Sequence, residues 1–282
     1  MPCFSPLTAY RSQGGKVVFN PKDGWVDRPL DIPCGQCIGC RIEKSRQWAL
    51  RCVHEAEMHE RNCFITLTYR PECIPEGGSL CLADWQNFAK RLRKNCGSFR
   101  YFHCGEYGDV NQRPHYHACI FGLDFVADRD LWKTERGISL FRSPLLEKTW
   151  GLGFATVGAL NFQSAAYVAR YIMKKVNGDL AVEKYGDRRP EYVTMSRRPG
   201  IGSTWLDRFK SDVYPADEVV LEGKRYRPPR FYDSKLGDEE LDGYKAKRRR
   251  AALKHVKDLS PDRLRVREVV AAKRGNFLIR NL

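Results

Sequence analysis

The chain has 282 residues, 42% hydrophobic and 29% charged, enough apolar material for one sizeable core with appendages or for two small ones. Its formal net charge of +15 implies a polyanionic partner, nucleic acid before an anionic membrane surface, with solubility alone as the plainer explanation. No apolar run approaches the roughly 20 residues that span a bilayer, and residues 1–16 lack the apolar centre of a signal peptide, so membrane insertion and secretion are not expected.

The N-terminal 40 residues are rich in Gly, Pro and Cys and read as irregular. There are 11 cysteines, an odd number with no signal peptide, which argues for a reducing cytosol rather than a disulfide framework. Cys34, Cys37 and Cys40 (CGQCIGC) have paired two-residue spacings, with glycines that let the backbone turn around an ion. That pattern fits a structural Zn²⁺ site, which needs a fourth ligand. Cys3 is the candidate, with Cys52 and His54 as rivals. Unligated cysteines and an iron–sulfur cluster are the other readings.

From Arg41 to His59 the spacing of Trp48, Cys52, Val53 and Ala56 predicts a helix. Phe64–Tyr69 (FITLTY) alternates like a strand. A Pro- and Gly-marked loop comes next, then a helical stripe at Leu82, Trp85, Phe88, Ala89 and Leu92. Arg100–Glu106 and His115–Phe121 read as two strands of a hairpin with a longer polar loop. Residues 122–143 yield no assignment. A short helix over Leu145–Trp150, a strand over Phe154–Val157 and a helix over Gln163–Val176 complete the pattern. This order indicates an α+β domain over residues 41–210, an antiparallel sheet with helices on one face. Residues 1–40 form a Cys-rich, candidate zinc-binding segment before it, and residues 211–282 a basic C-terminal region after it. From Lys224 onward the chain holds 18 Lys and Arg against 8 Asp and Glu, densest at Lys245, Lys247, Arg248, Arg249 and Arg250. This region reads as a DNA-binding arm or as a solvated, partly disordered tail.

Two constellations carry chemistry. His115 and His117 are two apart in a strand and share a face, and the hairpin returns Glu106 beside them. Two imidazoles and a carboxylate suit a divalent ion with open positions, Mg²⁺ or Mn²⁺, with two structural histidines as the alternative. Tyr167, Tyr171 and Lys175 share one helical face, and Lys174 adjoins it. A Tyr with an ordinary pKa near 10 is a weak nucleophile at neutral pH, and a neighbouring Lys with a metal-polarised phosphate supplies activation. A core aromatic stripe is the alternative.

In this order, FITLTY, Glu106 before HYH, and YVARYIMKK resemble the HUH endonucleases. PCGQCIGCR, SRQWALR, GEYG…RPHYHACIFG and SRRPGIGSTW narrow the resemblance to the rolling-circle replication initiators of microviruses, of gokushovirus type, over about residues 1–206. The resemblance implies a ferredoxin/RRM-like core acting in the cytoplasm of a bacterial host. It implies an ion held by Glu106, His115 and His117, and tyrosine attack by Tyr167 or Tyr171 assisted by Lys174 or Lys175. It further implies a 5′-phosphotyrosine link, a 3′-OH for rolling-circle synthesis, and closure of the displaced strand. Viral origin DNA, a host helicase and a host DNA polymerase are the implied partners, the helicase because no GxxxxGK[ST] loop is present. A plasmid initiator, relaxase or transposase of the same superfamily, or a non-catalytic zinc-stabilised nucleic-acid-binding protein, are the rival readings.

Overall fold

The N-terminal segment, expected to be irregular, contains a small antiparallel sheet in the computed structural model. Strand β1 (Leu7–Arg11) lies between β2 (Val17–Val18) and β3 (Leu30–Ile32). These strands are short and bury only Ala9, so they carry almost no alternation for a sequence reading to detect. The structure describes residues 3–108, 111–135, 137–174 and 179–277, with backbone alone at 171–174, 179–180 and 275–277. Helix α1 (Ile38–Ala56) comes after β3. The chain divides into two compact units, 1–44 with 236–282, and 45–235, the first division falling inside α1.

In the larger unit β4 (Asn62–Tyr69) leads through a loop to α2 (Leu82–Cys96), whose buried Trp85, Phe88, Ala89 and Leu92 form the expected stripe. The hairpin of β5 (Arg100–Tyr107) and β6 (Pro114–Phe121) is next. The unassigned stretch contains a second hairpin, β7 (Asp130–Glu135) and β8 (Ile138–Arg142). β7 is exposed along its whole length, so it lacks the one-sided apolar signal of a half-buried strand. Ser143 then caps α3 (Pro144–Trp150), accepting from the Leu146 N–H with Pro144 in the first turn.

Gly151 ends α3 in the left-handed region at φ 70°. Gly153 opens β9 (Gly153–Gly158) where a Cβ would sit 2.2 Å from the Thr68 carbonyl oxygen, so only glycine lets the two backbones meet. The unit continues with α4 (Phe162–Lys174), α5 (Asp179–Tyr185), β10 (Tyr192–Met195), α6 (Ser203–Val213), the hairpin β11 (Val219–Leu221) and β12 (Lys224–Tyr226), and α7 (Arg230–Asp233).

Seven strands form one sheet in the order β10-β5-β6-β4-β9-β8-β7, every neighbouring pair antiparallel. The α+β class and the antiparallel sheet are as the sequence indicates. The helices, however, pack on both faces rather than one. Ile65, Leu67 and Tyr69 of β4 meet α2 and α3, while Phe64, Phe102, Cys104, Cys119 and Phe121 meet Ala49 and Cys52 of α1 and Ala165, Val168 and Ala169 of α4. The cause is in the strands: β5 and β6 bury side chains of both parities over most of their length, so neither sheet face can be left to water.

The SRRPGIGSTW stretch closes this second layer. Glu55 of α1 pairs with Arg100 at 2.5 Å and accepts the Gly202 N–H at 2.7 Å, and Arg100 also donates to the Pro199 carbonyl. Trp205 stacks on the His54 ring at 3.5 Å between centroids, and the His54 Nδ1 meets the Tyr232 hydroxyl at 2.7 Å. The C-terminal part of the smaller unit is helical: α8 (Asp238–Leu253) carries the basic cluster and α9 (Pro261–Phe277) succeeds it. Tyr244 and Leu264 are buried, and the Arg267 guanidinium lies 6.0 Å from the Phe4 ring. No helix among the described residues is long and apolar enough to cross a membrane.

Candidate active site

Antiparallel register assembles the first constellation. Glu106 of β5 pairs directly with His115 of β6, and His117 pairs with Cys104 on one side and Thr66 of β4 on the other. Opposed residues in such pairs point to the same face. Glu106, His115, His117 and Thr66 therefore project together toward the face covered by α1 and α4, the side on which Cys104 and Phe64 are buried. His117 Nε2 donates to Glu106 Oε1 at 2.7 Å, and His115 Nε2 stands 3.6 Å from the same oxygen. Thr66 Oγ1 lies 2.9 Å from His117 Nδ1.

One potential ligand atom from each of Glu106, His115 and His117 lies within 4.8 Å of the others, a spacing one ion can bridge. The other carboxylate oxygen, Glu106 Oε2, is buried with no hydrogen-bond partner among the described residues, and so is His115 Nδ1. Buried polar atoms are normally satisfied, so an orphaned carboxylate oxygen between imidazoles fits a cation site. His115 is pushed down to about 4, by burial first and by His117 second. It is therefore a neutral imidazole, the form that binds metal, throughout the physiological range. The site opens on one side: the side chains of Glu106 and His117 are 3% and 5% exposed, and that of His115 21%.

Helix α4 brings Tyr167 to this group. Its hydroxyl donates to Glu106 Oε1 at 3.1 Å, its ring stands edge-on to His117 at 5.0 Å, and the Arg170 guanidinium lies 5.3 Å from the ring. Burial, and then the Glu106 charge, raise its pKa far above the ordinary tyrosine value. Tyr171 and Lys174 lie in the following turn of α4, where only the backbone is described, and Lys175 lies outside the described residues. Sequence reasoning missed Thr66. Its signal is the Thr two residues after Phe64 in FITLTY, which acquires meaning only once β4 is registered against β6.

The second constellation sits in the smaller unit. Sulfur atoms of Cys3, Cys34, Cys37 and Cys40 all lie within 4.8 Å of one another, which selects Cys3 over Cys52 and His54 as the fourth member. Cys52 is buried in the sheet core instead, and His54 is held by Trp205 and Tyr232. Cys3 Sγ is 3.7 Å from Cys34 Sγ and 3.9 Å from Cys37 Sγ. Four sulfurs bound tetrahedrally to zinc at about 2.3 Å would be about 3.8 Å apart. The backbone N–H groups of Phe4, Cys34, Gln36 and Cys37 point at these sulfurs at 3.3–3.4 Å, as thiolates require. Burial alone would raise the Cys37 thiol, but the Phe4 and Cys40 N–H groups and the neighbouring sulfurs outweigh it and bring it to about 6. Lys245, Lys247, Arg248, Arg249 and Arg250 all lie on α8.

Residues 62–176 match the family model of the replication-associated protein ORF2/G2P. The chain is 33% identical to the replication-associated protein ORF2 of Spiroplasma virus 4, over 89% of this chain and 87% of that one. The chain belongs to this family of phage replication-associated proteins. Another member, the replication-associated protein VP4 of Bdellovibrio phage phiMH2K, is 31% identical over 82% of this chain and 76% of its own. The replication-associated protein ORF4 of Chlamydia phage 1 is 29% identical over 78% of this chain and 58% of its own. No solved structure matches. The likeness to microvirus replication proteins read from the sequence therefore holds, and the family segment contains Glu106, His115, His117 and Tyr167 together.

Proposed function

We propose that this replication-associated protein is an initiator that nicks one strand of double-stranded viral DNA at its origin and becomes linked to the 5′ end through tyrosine. The observation that carries the reading is the convergence of Glu106, His115 and His117 on one sheet face with the Tyr167 hydroxyl 3.1 Å from Glu106. Glu106, His115 and His117 would hold a divalent cation, Mg²⁺ or Mn²⁺, which when bound polarises the scissile phosphate and reverses the local field that now opposes a phenolate.

The Tyr167 oxygen attacks phosphorus, the phenolic proton is lost, and the P–O3′ bond breaks. The departing oxygen takes a proton and becomes a free 3′-OH, while the 5′-phosphate stays esterified to tyrosine. No bond energy is lost to water, so the reverse transfer can reseal a strand without ATP. Tyr171, one helical turn along α4, is the natural second nucleophile for closing the displaced strand into a circle. Lys174 or Lys175 would assist by holding phosphate charge. The Cys3, Cys34, Cys37 and Cys40 group would hold structural Zn²⁺, and the basic residues of α8 would bind DNA phosphates. A host polymerase would extend the 3′-OH and a separate helicase would unwind the duplex.

The test is an assay of origin-bearing single strands, 3′-labelled, incubated with Mn²⁺. Wild type should yield a shifted, protease-sensitive band on denaturing gels. The Tyr167→Phe/Tyr171→Phe double variant should yield none while still binding DNA, because Phe keeps the ring and its packing. His115→Ala and His117→Ala should also abolish nicking and keep most of the DNA affinity, which comes from Lys and Arg. An adduct that survives in the double Phe variant would overturn the reading.

A further inference from the structure

The cross-strand row through the candidate active site continues past it. Glu106 pairs with His115, His115 with Thr68, and Thr68 with Phe154 of β9. All four side chains thus stand on one sheet face, and Phe154 lies two strand spacings, about 10 Å, from His115. β9 is an interior strand of the sheet, yet Phe154 is 55% exposed.

A single exposed Phe is ordinary on a protein surface. Its place is what sets this one apart. Of the three candidate metal ligands, His115 is the most exposed, and it stands in the row that runs from Glu106 to Phe154. The parallel row through His117 and Thr66 is the one covered by Tyr167. Beyond Phe154, the Arg142 guanidinium lies 5.9 Å from its ring and is held by Glu147 at 2.7 Å. The most exposed of the candidate ligands thus shares a row and a sheet face with an exposed aromatic ring that has a cation beside it. That pairing is how sequence-tolerant single-strand sites hold successive bases. The span of about 10 Å corresponds to a few nucleotides of chain.

We propose that Phe154 is a positioning residue, on which a base of the single DNA strand stacks close to the scissile phosphate, with Arg142 beside it. The location of that phosphate rests on the nuclease reading. The stacking itself does not.

The measurement is fluorescence anisotropy of a fluorescein-labelled oligothymidylate titrated with full-length protein. Phe154→Ala should weaken binding about tenfold, the usual loss when one stacked base loses its aromatic partner. Phe154→Trp should bind like wild type. The slope of affinity against salt should not change, because a stacked base releases no counterions. A strand carrying 5-bromodeoxyuridine should photocrosslink to the peptide containing Gly153–Gly158, a readout that holds even if the Ala variant misfolds. Unchanged affinity in a folded Phe154→Ala, or crosslinks found only elsewhere, would overturn the proposal and leave Phe154 to another occupant such as a protein surface. The two readings also fail separately. Wild type that shows the stacking pattern but forms no tyrosine adduct would keep the platform and remove the nuclease. Wild type that forms the adduct, with Phe154→Ala binding and nicking equally well, would do the reverse.

Discussion

At the scale of single residues, the proposed metal chemistry would also depend on atoms outside the three candidate ligands. In the tautomer whose Nε2 donates to Glu106, the neutral His117 ring accepts from the Thr66 hydroxyl at Nδ1. With Nε2 given to a cation, Nδ1 must carry the proton and donate to Thr66 instead, which a hydroxyl allows because it can play either part. Thr66→Val keeps the shape and removes the partner. It should weaken Mn²⁺-dependent nicking, or Mn²⁺ affinity by calorimetry, about 10- to 100-fold, and Thr66→Ser should restore most of it. Equal Mn²⁺ affinity in the Val variant would show that ring orientation comes from Phe64 packing alone.

At the scale of elements, two pieces of the fold rest on groups that titrate or that could take a metal ion. His54 on α1 is buried against Trp205 and held down to about 3 by burial. An unfolded His titrates near 6.5, so between these values the unfolded chain binds a proton that the fold refuses. Stability of the larger unit should therefore fall as pH drops below about 6.5, at up to ~1.4 kcal/mol per unit from this one group, and be indifferent to it above. Thermal melts of wild type and His54→Phe, compared between pH 7 and pH 5, should show a smaller loss in the variant, and parallel losses would assign the acid sensitivity elsewhere. In the smaller unit the sheet strands are only two to five residues long, too little to stand without a staple. Purified protein should contain about one zinc per chain, and stripping it with a strong chelator or Cys37→Ser should lower the melting temperature of that unit. Zinc-free protein with an unchanged melt would remove the metal from this site.

At the scale of the whole molecule, the charge of +15 is the dominant fact, and its densest basic run, Lys245 to Arg250, lies in the second half of α8, behind an acidic first turn. Phosphate contacts by such a helix carry affinity but no sequence information. Replacing Lys247, Arg249 and Arg250 by Gln should flatten the log–log salt dependence of single-strand binding by about 2, while the position of the nick stays the same. A displaced nick would make α8 a specificity element. Substitution is the proper probe here, because cutting the chain at Lys224 would also take Tyr232, which is fully buried and bonded to His54 in the larger unit.

The sequence by itself determined the features that arise from short-range periodicity. His115 and His117 share a face because strand side chains repeat every two residues, Tyr167 lies on a helix because the apolar spacing is helical, and the α+β order of elements comes from both. It also showed CGQCIGC as a metal-type spacing, since those ligands are close in the chain. Tertiary structure decided whatever depends on partners far apart in sequence. It chose Cys3 over Cys52 and His54, and set Thr66 against His117. It put helices on both faces of the sheet, and turned exposed stretches such as β7 into strands that carry no pattern of their own. The row from Glu106 to Phe154 is the clearest case. It crosses four strands, with members from Thr68 to Phe154 in the chain, and only the hydrogen-bond register of the sheet puts them in line.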